Sequence, residues 1–449
     1  MNRPLRSPDA GRPPPGAWLD RAQQICRADL PSFAERPTTT TGCAGGGGGG
    51  YAARTARATA ARASVTTSGA GVIGLVGGDV PREPVLAAGL LPVDLDPALL
   101  AADCHDLPPG LQLADPAAAV CSAILAGRLA GLDGLVVGRG SDCFVKLFHV
   151  LRELARRGRA GLPALHFHDR LVLASPSADA YNRRRLSELV ATLATWSGRR
   201  VGDAELVSAI AQRNAVAAAV RSVDRLRRGN EPSMLASEVL ALAGAARRLP
   251  PIEACNLLDE ALRGRSPSAP PAPPSQPQPS QPQPSQPRPR PGALRLVLSG
   301  SDHDHLALYD ELESSGALVV GEDHGWGARV WALDADESGE PLSALLERDG
   351  RLAPAPARGG IAGRVQDVLA TLARDRGSAI LQLVVGDDEA PGWETPALAA
   401  AAGQAGAGFA TVRLPWPGRP AADAADALLS LLDAAAARCH AAVSRHGDG

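Results

Sequence analysis

Seven cysteines, nine histidines and a set of glycine-rich loops are the residues of this 449-residue chain with the types and spacing to do chemistry. Cys104, Cys121 and Cys143 fall in one stretch, with Cys121 heading the segment CSAILAGRLAG and Cys143 just past an apolar run. Thiolates that converge on one point can hold an iron–sulfur cluster. Dispersed cysteines behave as small buried hydrophobes, and spacing alone favours that reading. Cys26, Cys43, Cys255 and Cys439 carry no assignment. His303 and His305 flank Asp304, while His166 and His168 alternate and so share one face of a strand. A metal site there needs a third ligand that the sequence does not display. No nucleophile elbow accompanies them, which argues against a Ser–His–Asp hydrolase.

The glycine loops are Gly77-Gly78-Asp79, Gly138-Arg139-Gly140-Ser141-Asp142-Cys143, Ser299-Gly300-Ser301-Asp302 and Glu322-Asp323-His324-Gly325-Trp326-Gly327. Glycine there lets backbone N–H groups approach an anion, and it equally serves a tight turn. None of the loops reproduces the dinucleotide fingerprint, and no Walker motif occurs.

Each of these loops follows a short apolar run that reads as a buried strand. Strands are expected at 71–77, 89–95, 132–137 and 162–168, with helical stretches at 80–88 and 144–157 between them. The order returns at 294–298, 316–320, 379–385 and 408–414, with helices at 305–314 and 395–405. Strands alternating with helices imply a parallel sheet covered on both faces. The fold class expected is therefore α/β, with two doubly wound lobes. Residues 186–265 read as a helical bridge, since Leu186, Leu189, Val190 and Leu193 lie on one face. In such sheets ligands bind outside the carboxyl ends of the strands, where the glycine loops stand.

Composition sets the remaining bounds. The division expected is a disordered tail at 1–68, a first lobe at 69–185, the bridge, a proline-rich linker at 266–292 and a second lobe at 293–449. The tail holds Thr38 to Thr41 and Gly45 to Gly50, with little apolar surface to offset ordering. The linker repeats Ser-Gln-Pro-Gln-Pro, which favours a semi-rigid polyproline II spacer. A formal net charge of −2 gives no field to attract nucleic acid. No run of about 18 apolar residues is present to span a membrane. Unpaired cysteine spacing in a long chain points to a reducing compartment, so a cytoplasmic protein is expected.

The segment from Val80 to Val93, VPREPVLAAGLLPV, resembles the 2-hydroxyacyl-CoA dehydratase subunits, a family that includes benzoyl-CoA reductase subunits and the 2-hydroxyglutaryl-CoA dehydratase D-component. Cys121-Ser122, the loop ending Ser141-Asp142, Tyr181, the 195–210 segment with Asn214, Arg295 to Ser301, Gly316 to Asp323 with Gly327 and Arg329, and Trp393 to Pro396 follow the same pattern. The resemblance covers roughly residues 70–262 and 293–418. It implies two homologous subunits, a 4Fe-4S cluster held by cysteines at the domain interface, an ATP-dependent activator that delivers one electron, and radical dehydration of a 2-hydroxyacyl-CoA. It implies Glu83 as the catalytic residue. Cys121 matches the first ligand position; the second falls at Ser141, with Cys143 two residues on, and the third at Gly325, beside His324. The metal-ligand set this resemblance leaves is Cys121, Cys143 and His324. The activity expected is that of a dehydratase-like lyase, or, as the alternative, a cluster-free subunit that binds acyl-CoA or a partner without catalysis.

Overall fold

The computed structural model describes residues 17–27, 70–265 and 293–416, apart from 98–99, 101–106, 108–110, 112, 230–231, 304–305, 353–354 and 356–357. Two four-stranded sheets, parallel throughout, carry the fold. Strands β1 (Val72–Val76), β2 (Leu91–Asp94), β3 (Gly134–Gly138) and β4 (Ala164–His168) lie in the order β2-β1-β3-β4. Strands β5 (Arg295–Gly300), β6 (Leu318–Glu322), β7 (Ala379–Val385) and β8 (Gly408–Leu414) repeat it as β6-β5-β7-β8. The two α/β lobes expected from the strand order are therefore present. In each, the first strand of the lobe is central, so its carboxyl end opens at the point where the winding reverses.

Alternation along the strands feeds two cores per lobe. Val72, Val76, Leu135 and Val137 face one core, and Ile73, Leu75 and Val136 the other. In the second lobe Leu296, Leu298, Leu381 and Leu383 face one side, and Val297, Val320 and Ile380 the opposite one. With few aromatics to fill space, aliphatic and alanine side chains make almost all of these contacts.

The helices are α1 (Ala17–Arg27), α2 (Glu83–Ala87), α3 (Asp115–Leu125), α4 (Asp142–Arg156), α5 (Pro176–Ser197), α6 (Asp203–Asp224), α7 (Ala236–Ala246), α8 (Pro251–Gly264), α9 (Leu306–Ser314), α10 (Pro341–Arg351), α11 (Ile361–Arg374) and α12 (Ala390–Gln404). Helix α5 starts ten residues before the bridge was expected to begin. Ser175 supplies the reason: its Oγ accepts the Ala178 N–H at 3.2 Å, Pro176 pre-sets the first turn, and Gly198, at φ +66°, ends the helix.

Two features depart from the expected organisation. Residues 17–27 stand within the expected disordered tail, yet they form α1, whose Trp18 and Ala22 are buried in the first core with α7 and α8. Helix α10 belongs in sequence to the second half but packs on the first lobe, where Ala344 and Leu345 join Leu75, Val136, Leu189 and Leu193. Helix α7 is shared, with Ala236 and Leu240 in the second lobe's core and Val239 and Leu242 in the first's. The rest of the tail, the 266–292 linker and residues 417–449 lie outside the described residues, as do Cys43, Cys104, Asp304, His305 and Cys439.

Candidate functional site

The glycine loops of both lobes meet across one cleft. Gly77 (φ +89°) follows β1, and Gly300 (φ +113°) ends β5; both sit in the left-handed region that favours glycine. The cleft between these strand ends holds a cavity of about 870 Å³. Its apolar wall includes Leu75, Leu95, Phe144, Trp326, Val385 and Trp416, and its charged groups include Arg139, Lys146, Arg247 and Arg358 together with carboxylates such as Asp115, Asp142, Asp302, Asp387, Asp388 and Glu389. Helix α4 opens into it, so Ser141, Asp142 and Cys143 line one side.

A second, inner chamber of about 240 Å³ shares Gly78, Gly140, Arg247, Asp302 and Arg358 with the cleft. Much of its charge is used to tie the lobes together. Arg82 and Arg247 bond the Asp94 carboxylate at 2.6 and 2.8 Å, and Arg247 also donates to the Gly325 carbonyl and stacks 4.5 Å from the Trp326 ring. Burial would push Asp94 up, but Arg247 and Arg82 outweigh it and hold the carboxyl below the usual range. Glu83, 1% exposed, is bonded by Arg348 of α10, with Arg213 of α6 at 3.7 Å. Burial again opposes ionisation, and these two cations again prevail, holding Glu83 low.

Asp79 is treated differently. Its carboxylate is buried, neither oxygen has a hydrogen-bond partner, and the nearest cation, Arg358, stands at 3.6 Å. Burial raises its pKa, and Arg358 and Arg170 only partly offset that effect.

The residues expected to hold iron do not come together. Cys143 lines the cleft, as do Ser141 and Gly325, which stand where the resemblance places thiolates. Cys121 is absent from that lining. It sits in the middle of α3, wholly buried in the aliphatic core, and burial pushes its thiol up to about 11. A thiol so placed lacks the cations that favour a thiolate. His324 is also wholly buried: its Nε2 meets the Tyr309 hydroxyl at 2.8 Å, and Glu322 lies at 3.6 Å.

At Gly325 the space a side chain would need is taken. Asp302 accepts the Gly325 N–H, and a Cβ there would lie 2.7 Å from Asp302 Oδ2. Among the described residues no group of three or more His, Cys, Asp or Glu side chains could hold a metal ion. The donor set therefore does not fit a 4Fe-4S cluster within this chain.

The strand histidines stay neutral in buried surroundings. His166 pairs with Thr192 Oγ1 at 3.0 Å, and burial lowers its pKa to about 4 and that of His168 to about 3. His303 lines the cleft with Nδ1 at 2.8 Å from the Ser301 carbonyl, its ring 4.0 Å from that of His324.

Sequence reasoning singled out the loop bearing Asp79 but gave its carboxyl no role. Arg170, Arg247 and Arg358 were missed altogether. Among 46 basic residues nothing in local sequence marks the three that reach the cleft or its chamber. A family model described as 2-hydroxyglutaryl-CoA dehydratase, D-component, matches residues 78–433. No curated protein matches the chain.

Proposed function

Because the chain belongs to the 2-hydroxyglutaryl-CoA dehydratase D-component family, we propose that it works as a 2-hydroxyacyl-CoA dehydratase-type subunit whose interlobe cleft takes an acyl-CoA thioester. The observation that carries this reading is the cleft itself. It opens at the carboxyl ends of both sheets, where ligands of open α/β folds bind, and its size is that of a small-molecule site. Its aliphatic and aromatic wall suits an acyl chain and pantetheine arm. Lys146, the chain's single lysine, and Arg139, which also pairs with Asp169 at 3.3 Å, offer cations to phosphate groups at the helix α4 end.

The family resemblance brings radical dehydration, a 4Fe-4S cluster, an acyl-CoA substrate, a homologous partner subunit and an ATP-dependent activator. The cluster would supply a very low-potential electron centre. Since the donor set of this chain does not fit it, no step is assigned to it here, and in this reading any cluster is held by the partner subunit. This chain's residues then bind and orient the thioester and exclude water from it. We place the subunit in the cytoplasm, where thiols stay reduced; no helix among the described residues is long and apolar enough to cross a membrane.

Alkylation of Cys143 tests the reading. Cys143 lines the cleft and Cys255 lies on α8, away from it. Butyryl-CoA is expected to slow modification of Cys143 by N-ethylmaleimide and leave Cys255 unchanged. Equal rates with and without the thioester would count against the cleft as its site.

A further inference from the structure

The inner chamber contains more than lobe-to-lobe ties. Several groups that line it have buried polar atoms without hydrogen-bond partners: both oxygens of Asp79, Nε of Arg170, Nε of Arg358 and Nε1 of Trp331. Buried polar atoms are almost always satisfied, and a convergent set that is not satisfied by protein marks a place for a ligand or water. Here the glycines beside Asp79 keep that place open. A Cβ on Gly138 would run into Asp79 Oδ1, and Cβ atoms on Gly77 and Gly140 would stand 3.4 and 3.6 Å from it.

The charges choose the ligand. Arg170 and Arg358 already donate to the carbonyls of Asp349, Arg139 and Arg170, so both guanidinium groups are fixed by backbone, and Arg358 also pairs with Asp79 at 3.6 Å. Glu83 and Asp94, which also line the chamber, are committed to Arg348, Arg82 and Arg247. Asp302, which also lines the chamber beside Arg329, accepts the Gly325 N–H, and Asp349 is bonded by Arg348, which leaves Arg170 and Arg358 facing the Asp79 carboxyl group. A compact oxyanion would accept hydrogen bonds from the two guanidinium groups. It would meet Asp79 without repulsion only when Asp79 is protonated, and a protonated carboxyl donates a hydrogen bond.

We propose that Asp79, Arg170 and Arg358 form a binding site for a compact oxyanion, of carboxylate or phosphate class, in which Asp79 acts as a protonated donor. The site adjoins the acyl-CoA cleft but does not depend on that reading of it. It makes affinity depend on pH. Burial raises the pKa of Asp79, the carboxylate of Asp349 reinforces the rise, and Arg358 and Arg170 oppose it. The loop from β3 brings two glycines up to it and its own Arg139 is engaged with Asp169 at 3.3 Å. Among the described residues no histidine lines the chamber. Binding is therefore strongest at low pH and is lost as pH rises through the raised pKa of Asp79.

Sulfate and acetate serve as probes, because both keep a constant charge between about pH 6 and 8.5. Calorimetric titration of the full chain is expected to show one saturable site for at least one of them. Its affinity should fall as pH rises through the raised pKa of Asp79, by roughly ten-fold or more in all, the worth of a hydrogen bond to a charged group. Preference for sulfate would assign the site to a phosphate group, and preference for acetate to a carboxylate. Competition by coenzyme A, absent with its dephosphorylated pantetheine, would trace a phosphate to the ligand of the cleft. Asp79→Asn keeps a donor that cannot ionise, so its binding should be independent of pH. Arg170→Met and Arg358→Met should each weaken binding at least ten-fold, and they carry the test if Asp79→Asn does not fold. No saturable binding of either anion, or binding with the same pH dependence in Asp79→Asn, would overturn the proposal. Failure of butyryl-CoA to bind would remove the cleft reading and leave this one standing.

Discussion

Replacing Glu83 by Gln removes one negative charge from a buried ion pair that joins α2 to α10. Glu83 is 1% exposed, and the Arg348 side chain that bonds it is 5% exposed. Removing one partner of such a pair leaves the other charge uncompensated, a change that costs about 3–5 kcal/mol. The structure puts this case at the lower end. Arg348 keeps Asp349 at 2.8 Å, and Arg213 keeps the carbonyls of Val330 and Leu333. A loss of about 3 kcal/mol, with a urea slope of about 3 kcal/mol/M, lowers the unfolding midpoint by about 1 M at neutral pH. The pH dependence has a definite sign. Glu83 is held below its ordinary 4.5 in the folded state, so the pair's stabilisation is present above that value and is lost as pH falls through the folded pKa. Wild type and variant should therefore converge in acid. Urea denaturation followed by far-UV circular dichroism at neutral and acidic pH reads both effects. Adding Arg348→Met to Glu83→Gln should restore part of the loss, since the orphaned cation is then gone. A neutral-pH difference below about 1 kcal/mol would refute the reasoning that Glu83 ties α10 to the first lobe.

Anaerobic reconstitution with iron and sulfide should leave the isolated chain well short of the four irons of a cluster, by chemical analysis of both elements. Installing Ser141→Cys and Gly325→Cys together should not raise that content, because Asp302 occupies the space at position 325; bound iron in stoichiometric amount would show that the loop yields. Peptide mapping after N-ethylmaleimide treatment should find Cys143 modified in the native protein and Cys121 only after denaturation, since Cys121 is wholly buried and its thiol is pushed up to about 11. Glu313 caps α7 by accepting from the Ala236 and Ser237 N–H groups, and burial raises its pKa to about 6. Its folded form holds a proton that the unfolded chain releases, so it contributes about 2 kcal/mol below pH 4.5 that fades as pH rises to 6. In Glu313→Gln that limb of the stability profile should disappear, and an unchanged limb would assign it elsewhere.

Local patterning carried most of the fold. The apolar runs at 71–77 and 294–298, each ending in a glycine loop, place β1 and β5 and show that the lobes repeat, because buried parallel strands read as continuous apolar runs and these are too short for a helix. Helix α10 shows where that reasoning stops. Its apolar residues announce a helix, but nothing in them says which lobe they pack on, and the partner surface lies far away in sequence. Helix α1 was legible in principle: Trp18, Leu19, Ala22 and Ile25 recur at helical spacing, and the proline- and glycine-rich surroundings masked them. At the site, the loop bearing Cys143 is where sequence placed it. Cys121 was chosen from an aligned position and His324 as the neighbour of one at Gly325, and position along a chain does not report which way a side chain turns. Cys121 turns into the aliphatic core and His324 toward Tyr309. Asp79 is the reverse case, an ordinary loop residue whose interest comes from three glycines and two distant arginines converging on it.

The central claim is that this chain binds an acyl-CoA thioester in its cleft without a cluster of its own. Calorimetric titration of the iron-free full chain with butyryl-CoA tests it most directly. The account predicts saturable binding of one thioester per chain, weakened when Arg139 and Lys146 are both replaced by alanine. No saturable heat from the iron-free chain, or binding that appears only after a cluster has been reconstituted into it, would contradict it.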